Sequence, residues 1–287
     1  MNRILLLFLV VLTFAACDTV DKPSKPVIAV SIVPQEYLVR SLIDTLAEVQ
    51  VMVPPGASPA TWEATPSEMK ALADAIIYYK IGHIGFEKAW MPEIREQNPE
   101  LTMIDLSTSL KIRRIEHRHN DHKHSGYDPH TWMSPANMES MARQIYGDMM
   151  RLFPEQKEMI RDNYAALLSE IKQSNFYARR MLANYEGRSF LVFHPSLGYF
   201  ADDYGLEQLT IEFEGKEPSA SYLKEIIDLA REKGIKTIFV QKEFDTRNAQ
   251  IIAEELNAKV KIVEPLSANW PDAIKKLTDN LVASFNE

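Results

Sequence analysis

From residue 27 onward the chain alternates short apolar runs with stretches whose apolar side chains recur at helical spacing. "VIAVSIV" reads as a strand and runs into the helix-period pattern "PQEYLVRSLI". "VQVMV" is a second strand, followed by the loop "PPGASPATW". "AIIYYKIGH" is a third strand and "LTMIDLS" a fourth. Before the third, Thr65, Pro66 and Glu68 have the spacing of a capping box with proline in the first turn, which opens a helix. Strands alternating with helices in this rhythm predict a parallel sheet covered by helices.

The pattern changes after residue 136. Up to about residue 185 no strand is expected. "NMESMARQIYGDMMRLF" and "QKEMIRDNYAALLSEIKQSNFYARRMLANYE" are helix-periodic and are broken near Phe153 and Pro154. The second run contains neither glycine nor proline, so it predicts one long helix crossing the molecule. Strands then resume with "SFLVFH", "LEQLTIEF", "IKTIFVQ" and "AKVKIVEPL". They are separated by "SLGYFADDYG", "ASYLKEIIDLAREKG" and "TRNAQIIAEELN". The expected fold class is α/β, with two lobes, each a parallel sheet flanked by helices, joined by a long backbone helix. The lobes are expected at 28–135 and 187–287, with the helical region at 136–186.

Composition narrows the function. The 287 residues carry a formal net charge of −8, and no Lys/Arg cluster offsets it, which argues against a nucleic-acid partner. Ten glycines and no Gly-rich loop leave a phosphate cradle without support. The start, "MNRILLLFLVVLTFAACDTV", has a basic Arg3, an apolar run from Ile4 to Val11, and Ala15-Ala16 directly before the single cysteine, Cys17. This is a secretory signal over residues 1–16, too short to be a transmembrane helix. The small residues before Cys17 look like a bacterial lipobox, so Cys17 is expected to be lipidated and residues 17–27 to be a polar tether. With one cysteine no intramolecular disulfide exists. The chain is expected to be exported, lipid-anchored at the cell envelope and monomeric.

Seven histidines remain to be explained. His117, His119, His122 and His124 fall among charged and polar residues in 116–126, which reads as a loose, solvated loop. The other three follow apolar runs or sit in a constrained loop: His83 after "IIYYKIG", His130 in "YDPHTWMSP", His194 after "FLVF". Glu264 follows "VKIV" in the same way. In open parallel sheets, ligands bind beyond the carboxyl ends of the strands. Imidazole nitrogens with one carboxylate are a suitable donor set for Zn²⁺.

At "YDPHTWMSP" and "FHPSLGYFADDYGL" the chain resembles the solute-binding proteins of zinc and manganese ABC transporters, whose two lobes are joined by a rigid helix. The stretch "EFEGKEPSASYLKEIIDLAREKGIKTIFVQKEF" is similar to that family's Glu-Pro-Ser signature and the strand after it. The resemblance covers about residue 28 to the C-terminus. It implies capture of a divalent metal outside the cytoplasmic membrane and delivery to an ABC permease. By this resemblance His130 is the second ligand and His194 the third. An imidazole at the third place favours zinc, with manganese as the secondary cargo. "EPL" stands where the family has "DPL", which makes Glu264 the fourth candidate. The family's first histidine is replaced by Ala60, and His83 is the expected substitute. The histidine-rich loop lies where zinc members carry theirs, and is expected to collect metal without being the transport site. Two other classes stay open: a surface adhesin lipoprotein with a vestigial site, and a zinc hydrolase using Glu212 or Glu214 as base.

Overall fold

The computed structural model describes residues 25–119, 122–212 and 218–287. Cys17, the signal segment and most of the tether lie outside them, as does Glu214.

The first lobe comprises β1 (Val27–Val30), α1 (Val33–Ile43), β2 (Glu48–Val51), α2 (Pro66–Ala71), β3 (Ala75–Lys80), α3 (Gly85–Gln97) and β4 (Thr102–Asp105). Its four strands are all parallel, in the order β2-β1-β3-β4. The capping box forms as its spacing requires: Thr65 accepts from the Glu68 backbone N–H and Glu68 accepts from the Thr65 backbone N–H. Such a reciprocal pair satisfies two donors that the first turn leaves free.

Residues 114–119 and 122–127 correct the expectation of a loose loop. Here β5 (Arg114–His119) and β6 (His122–Tyr127) form an antiparallel hairpin whose register pairs His117 with His124 and His119 with His122. Alternation of polar residues without an apolar face concealed it, because a hairpin whose faces are both polar carries no period-2 hydrophobic signal.

Next come α4 (Pro135–Leu152) and α5 (Lys157–Leu182). The 26 residues of α5 span roughly 39 Å at the helical rise. Its buried stripe of Ile160, Leu167, Ile171, Ala178 and Leu182 packs against α1, α4 and the C-terminal helix.

The second lobe holds β7 (Ser189–Val192), α6 (Gly198–Asp203), β8 (Glu207–Thr210), α7 (Ala220–Glu232), β9 (Thr237–Gln241), α8 (Arg247–Leu256), β10 (Lys259–Val263) and α9 (Trp270–Phe285). Its strands are again all parallel, in the order β10-β9-β7-β8. Side chains alternate across this sheet as the pleat demands. Phe190, Val192 and Phe239 join the core shared with α5 and α9. Leu191, Ile238 and Val240 join a second core under α7 and α8. Two helices, α3 and α9, add to the expected elements. Asn269 caps α9 by accepting from the Asp272 N–H, and Pro271 stands in its first turn.

Two indoles tie the lobes together. Trp132 Nε1 donates to Pro265 O at 2.9 Å, and Trp270 Nε1 donates to Trp132 O at 2.8 Å. Both rings are buried, so each N–H finds its partner inside the core rather than in water.

Candidate metal site

In each sheet the chain leaves its first strand to one side and then returns on the other, so the switch points fall between β1 and β3 and between β7 and β9. Crevices form at such points beyond the strand ends. His83 follows β3 and His194 follows β7. Both line one cleft of about 370 Å³, together with His130 from the segment connecting the lobes.

His83 stands on a strained backbone, with φ of 68°. Histidine tolerates this region better than most residues, but the surroundings must enforce it. Glu87 does so from below. Its buried carboxylate accepts the backbone N–H groups of Ile81 at 2.6 Å and Gly82 at 2.8 Å, and the Ser31 hydroxyl besides. From the side, the loop bearing Ala60 packs directly on the turn. Phe86 N donates to Pro59 O, and a Cβ on Gly85 would lie 2.4 Å from Ala60 O. His83 therefore emerges beside the position where the resembling family has its first histidine. Its ring packs on Tyr127, with centroids 4.9 Å apart. Burial lowers its pKa, only partly offset by Asp105.

His130 is held by Asp128. One carboxylate oxygen accepts the His130 backbone N–H at 3.0 Å and sits 2.8 Å from ring Nδ1. Asp128 is fully buried, and its second oxygen faces Arg113, which also pairs with Asp202. Burial would push Asp128 up, but the bonds from His130 and the Arg113 charge outweigh it and hold the carboxyl below its usual range. Gly198, in the motif "FHPSLGYF", is needed for this arrangement. A Cβ there would lie 2.6 Å from Arg113 Nη1 and 2.8 Å from Asp128 Oδ2.

His194 repeats the pattern. Its Nδ1 lies 3.0 Å from the buried Glu212 carboxylate, and its ring stacks on Phe244 at 4.7 Å. Burial lowers its pKa, against the opposing pull of Glu212. In both His130 and His194, Nδ1 is engaged with a carboxylate, which leaves Nε2 as the nitrogen that could coordinate an ion. The two rings meet edge to face with centroids 5.2 Å apart. Two imidazoles on one tetrahedral zinc place their centroids at roughly the same separation, about 5 Å, given Zn–N bonds near 2 Å.

The other expected ligands are placed differently. Glu264 lines an adjoining cavity with Pro265 and Trp270, and its Oε1 accepts from Lys242 Nζ at 3.1 Å. It is not among the residues of the histidine cleft. His83 lines that cleft but its ring packs at a tilt against Tyr127. Among the described residues, no three His, Cys, Asp or Glu side chains stand close enough to hold an ion as placed. Sequence reasoning missed Asp128 as the partner of His130. The signal was present, since an aspartate two residues before a histidine can close a side-chain turn onto that residue's N–H. Glu212, weighed only as a catalytic base, is instead the partner of His194.

Comparison with known proteins supports the fold and identifies the family. The family described as zinc-uptake complex component A, periplasmic, matches residues 28–284. The high-affinity zinc uptake system protein ZnuA of Bacillus subtilis is 24% identical over 257 residues, covering 86% of this chain and 80% of that protein. The chain spans 49% of the zinc-binding protein AdcA of Streptococcus pyogenes. A crystal structure of ZnuA superposes with a TM-score of 0.83 at 34% identity, covering 90% of this chain and 98% of the other. The zinc-binding protein TroA of Treponema pallidum shares the fold with a TM-score of 0.80 at 17% identity, over 91% of this chain and 99% of that one. Two parallel sheets facing one cleft, histidines at the switch points and a match over nearly the whole described length lead to one assignment: the chain belongs to the periplasmic zinc-uptake complex component A family.

Proposed function

We propose that this protein captures a zinc ion in the cleft between its lobes, using His83, His130 and His194, and delivers it to an ABC permease. The observation that carries the ligand assignment is the pairing of His130 and His194 at a separation suited to one tetrahedral ion, each backed by a buried carboxylate. His83 completes the set by turning from Tyr127 towards the cleft that it already lines. Glu264 enters only if it leaves Lys242 and crosses from the adjoining cavity. The chain is a solute-binding component and not an enzyme. Zinc fits a nitrogen-rich site better than manganese does, since imidazole suits zinc and carboxylates suit manganese.

The test is the dissociation constant of the tightest zinc site, by competition with a chromophoric chelator. His130→Ala, His194→Ala and His83→Ala should each weaken it at least about tenfold, since even partners one shell removed are worth that much. Unchanged binding in the first two removes the reading.

His117, His119, His122 and His124 are auxiliary collectors in this reading. What supports it is that the base of their hairpin borders the cleft, through Ile115, Gly126 and Tyr127. Substituting all four should remove weaker sites and keep one tight one. Cys17 is the proposed lipid anchor, supported by the apolar run and Ala15-Ala16 before it. Cys17→Ser should release the protein from membranes or leave its signal uncleaved. The protein works as a monomer in this reading, which sedimentation with and without zinc checks.

A further inference from the structure

We propose that Gln241 supplies the oxygen donor of the metal site, completing the coordination of the three histidines through its side-chain amide. The proposal rests on the histidine reading above and adds a residue to it.

Position is the first argument. Gln241 is the last residue of β9, at the switch point of the second sheet. The register between β7 and β9 pairs Leu191 with Ile238 and Val192 with Phe239. Continued by two residues it sets Gln241 level with His194. On its other side Gln241 pairs with Val263. Its side chain lines the same cleft as His83, His130 and His194.

Satisfaction is the second. Gln241 is only 6% exposed, and its Nε2 is buried with no hydrogen-bond partner among the described residues. Buried amides are nearly always paired, and a bound ion is one of the explanations that an exception admits. A half-turn of the terminal amide exchanges nitrogen for oxygen, so the same side chain can offer Oε1 to a cation.

Elimination is the third. Ala60 has no donor. Glu264 follows the edge strand β10, away from the switch point, and already pairs with Lys242. The buried carboxylates nearest the rings, Asp128 and Glu212, are engaged with imidazole Nδ1 atoms. Among the described residues lining the cleft, Ser58, Tyr127 and Gln241 carry the remaining side-chain oxygens, and of these Gln241 is the one at the strand end beside His194.

The consequence is a metal shell without an anion, in which negative charge sits one layer out. Gln241→Glu should then tighten zinc at least about tenfold and raise manganese affinity relative to zinc, because a carboxylate favours the harder ion. Gln241→Leu should weaken zinc about tenfold, as loss of a supporting group does. It should leave the metal-free Tm unchanged or higher, since it removes an unpaired buried donor. Cobalt(II) bound in place of zinc should show altered visible bands in both variants. His130→Ala and His194→Ala are measured alongside. If they leave binding intact, the site itself is misassigned. If they abolish it while Gln241→Leu keeps the wild-type affinity and cobalt spectrum, the inference about Gln241 is overturned. A lower metal-free Tm with an unchanged cobalt spectrum would show a packing role and overturns it equally.

Discussion

Asp128 grips His130 twice through one oxygen, accepting the backbone N–H at 3.0 Å and meeting ring Nδ1 at 2.8 Å, while its other oxygen faces Arg113. The first grip fixes where the residue sits and the second fixes which ring nitrogen is free. Asp128→Asn keeps the shape and removes the charge that makes the imidazole a better donor. Zinc affinity should fall about ten- to a hundredfold. Chelator competition measures it, and an unchanged constant would mean that His130 does not depend on this carboxylate to bind.

Gly85 is in close contact with the backbone of Ala60. Gly85→Ala forces the loop of Ala60 and the turn of His83 apart, because neither contact is a flexible side chain. Overpacking of this kind costs about 1–3 kcal/mol. Chemical denaturation should show that loss, and the tight zinc site should weaken with it. Full stability would imply that the two loops part without cost.

Burial pushes Glu87 up to about 7, against the opposing bonds from Ser31 and the Ile81 and Gly82 N–H groups. Below the ordinary value of 4.5 the group is neutral in folded and unfolded chains alike, and its contribution is fully present. As pH rises towards 7 the unfolded chain ionises first, so stability is lost, by an amount on the order of 3 kcal/mol. Above that no further loss follows from this residue. Urea unfolding of metal-free wild type and Glu87→Gln at a series of pH values isolates the effect: their difference should shift against the wild type between about pH 4.5 and about pH 7. A pH-independent difference would show that Glu87 titrates normally.

Trp132 and Trp270 clasp the lobes, and α5 runs for 26 residues without glycine or proline. A molecule so braced has no hinge of the usual kind. Small-angle scattering should show nearly the same radius of gyration with and without zinc. Trp270→Phe leaves the Trp132 carbonyl unpaired in the core and should cost about 1–3 kcal/mol. A large zinc-induced compaction of the wild type would contradict the rigid reading.

Much of this was legible in the sequence because it rests on local rules. Apolar runs of strand length separated by helix-period segments gave two parallel sheets, since strands buried on both faces carry continuous hydrophobicity. The long helix was visible from a periodic run without Gly or Pro, and the helix at Thr65 from its capping box. His83 and His194 were visible as polar residues at the ends of apolar runs, where parallel sheets put their crevices, and His130 as the histidine of a proline-constrained loop. Tertiary structure decided the rest. Which strand is central and which is an edge follows from chain crossings that no local pattern encodes. That is why Glu264, at the end of edge strand β10, stands apart from the histidines, while Gln241, at the end of β9, stands among them. The partners of the rings were equally hidden. Asp128, the partner of His130, also pairs with Arg113, fifteen residues earlier in the chain. Glu212 meets His194 across eighteen residues because β7 and β8 are neighbours. Residue types and their spacing determined which groups could bind metal. Packing determined which of them face one another, because burial and charge pairing act through space and not along the chain.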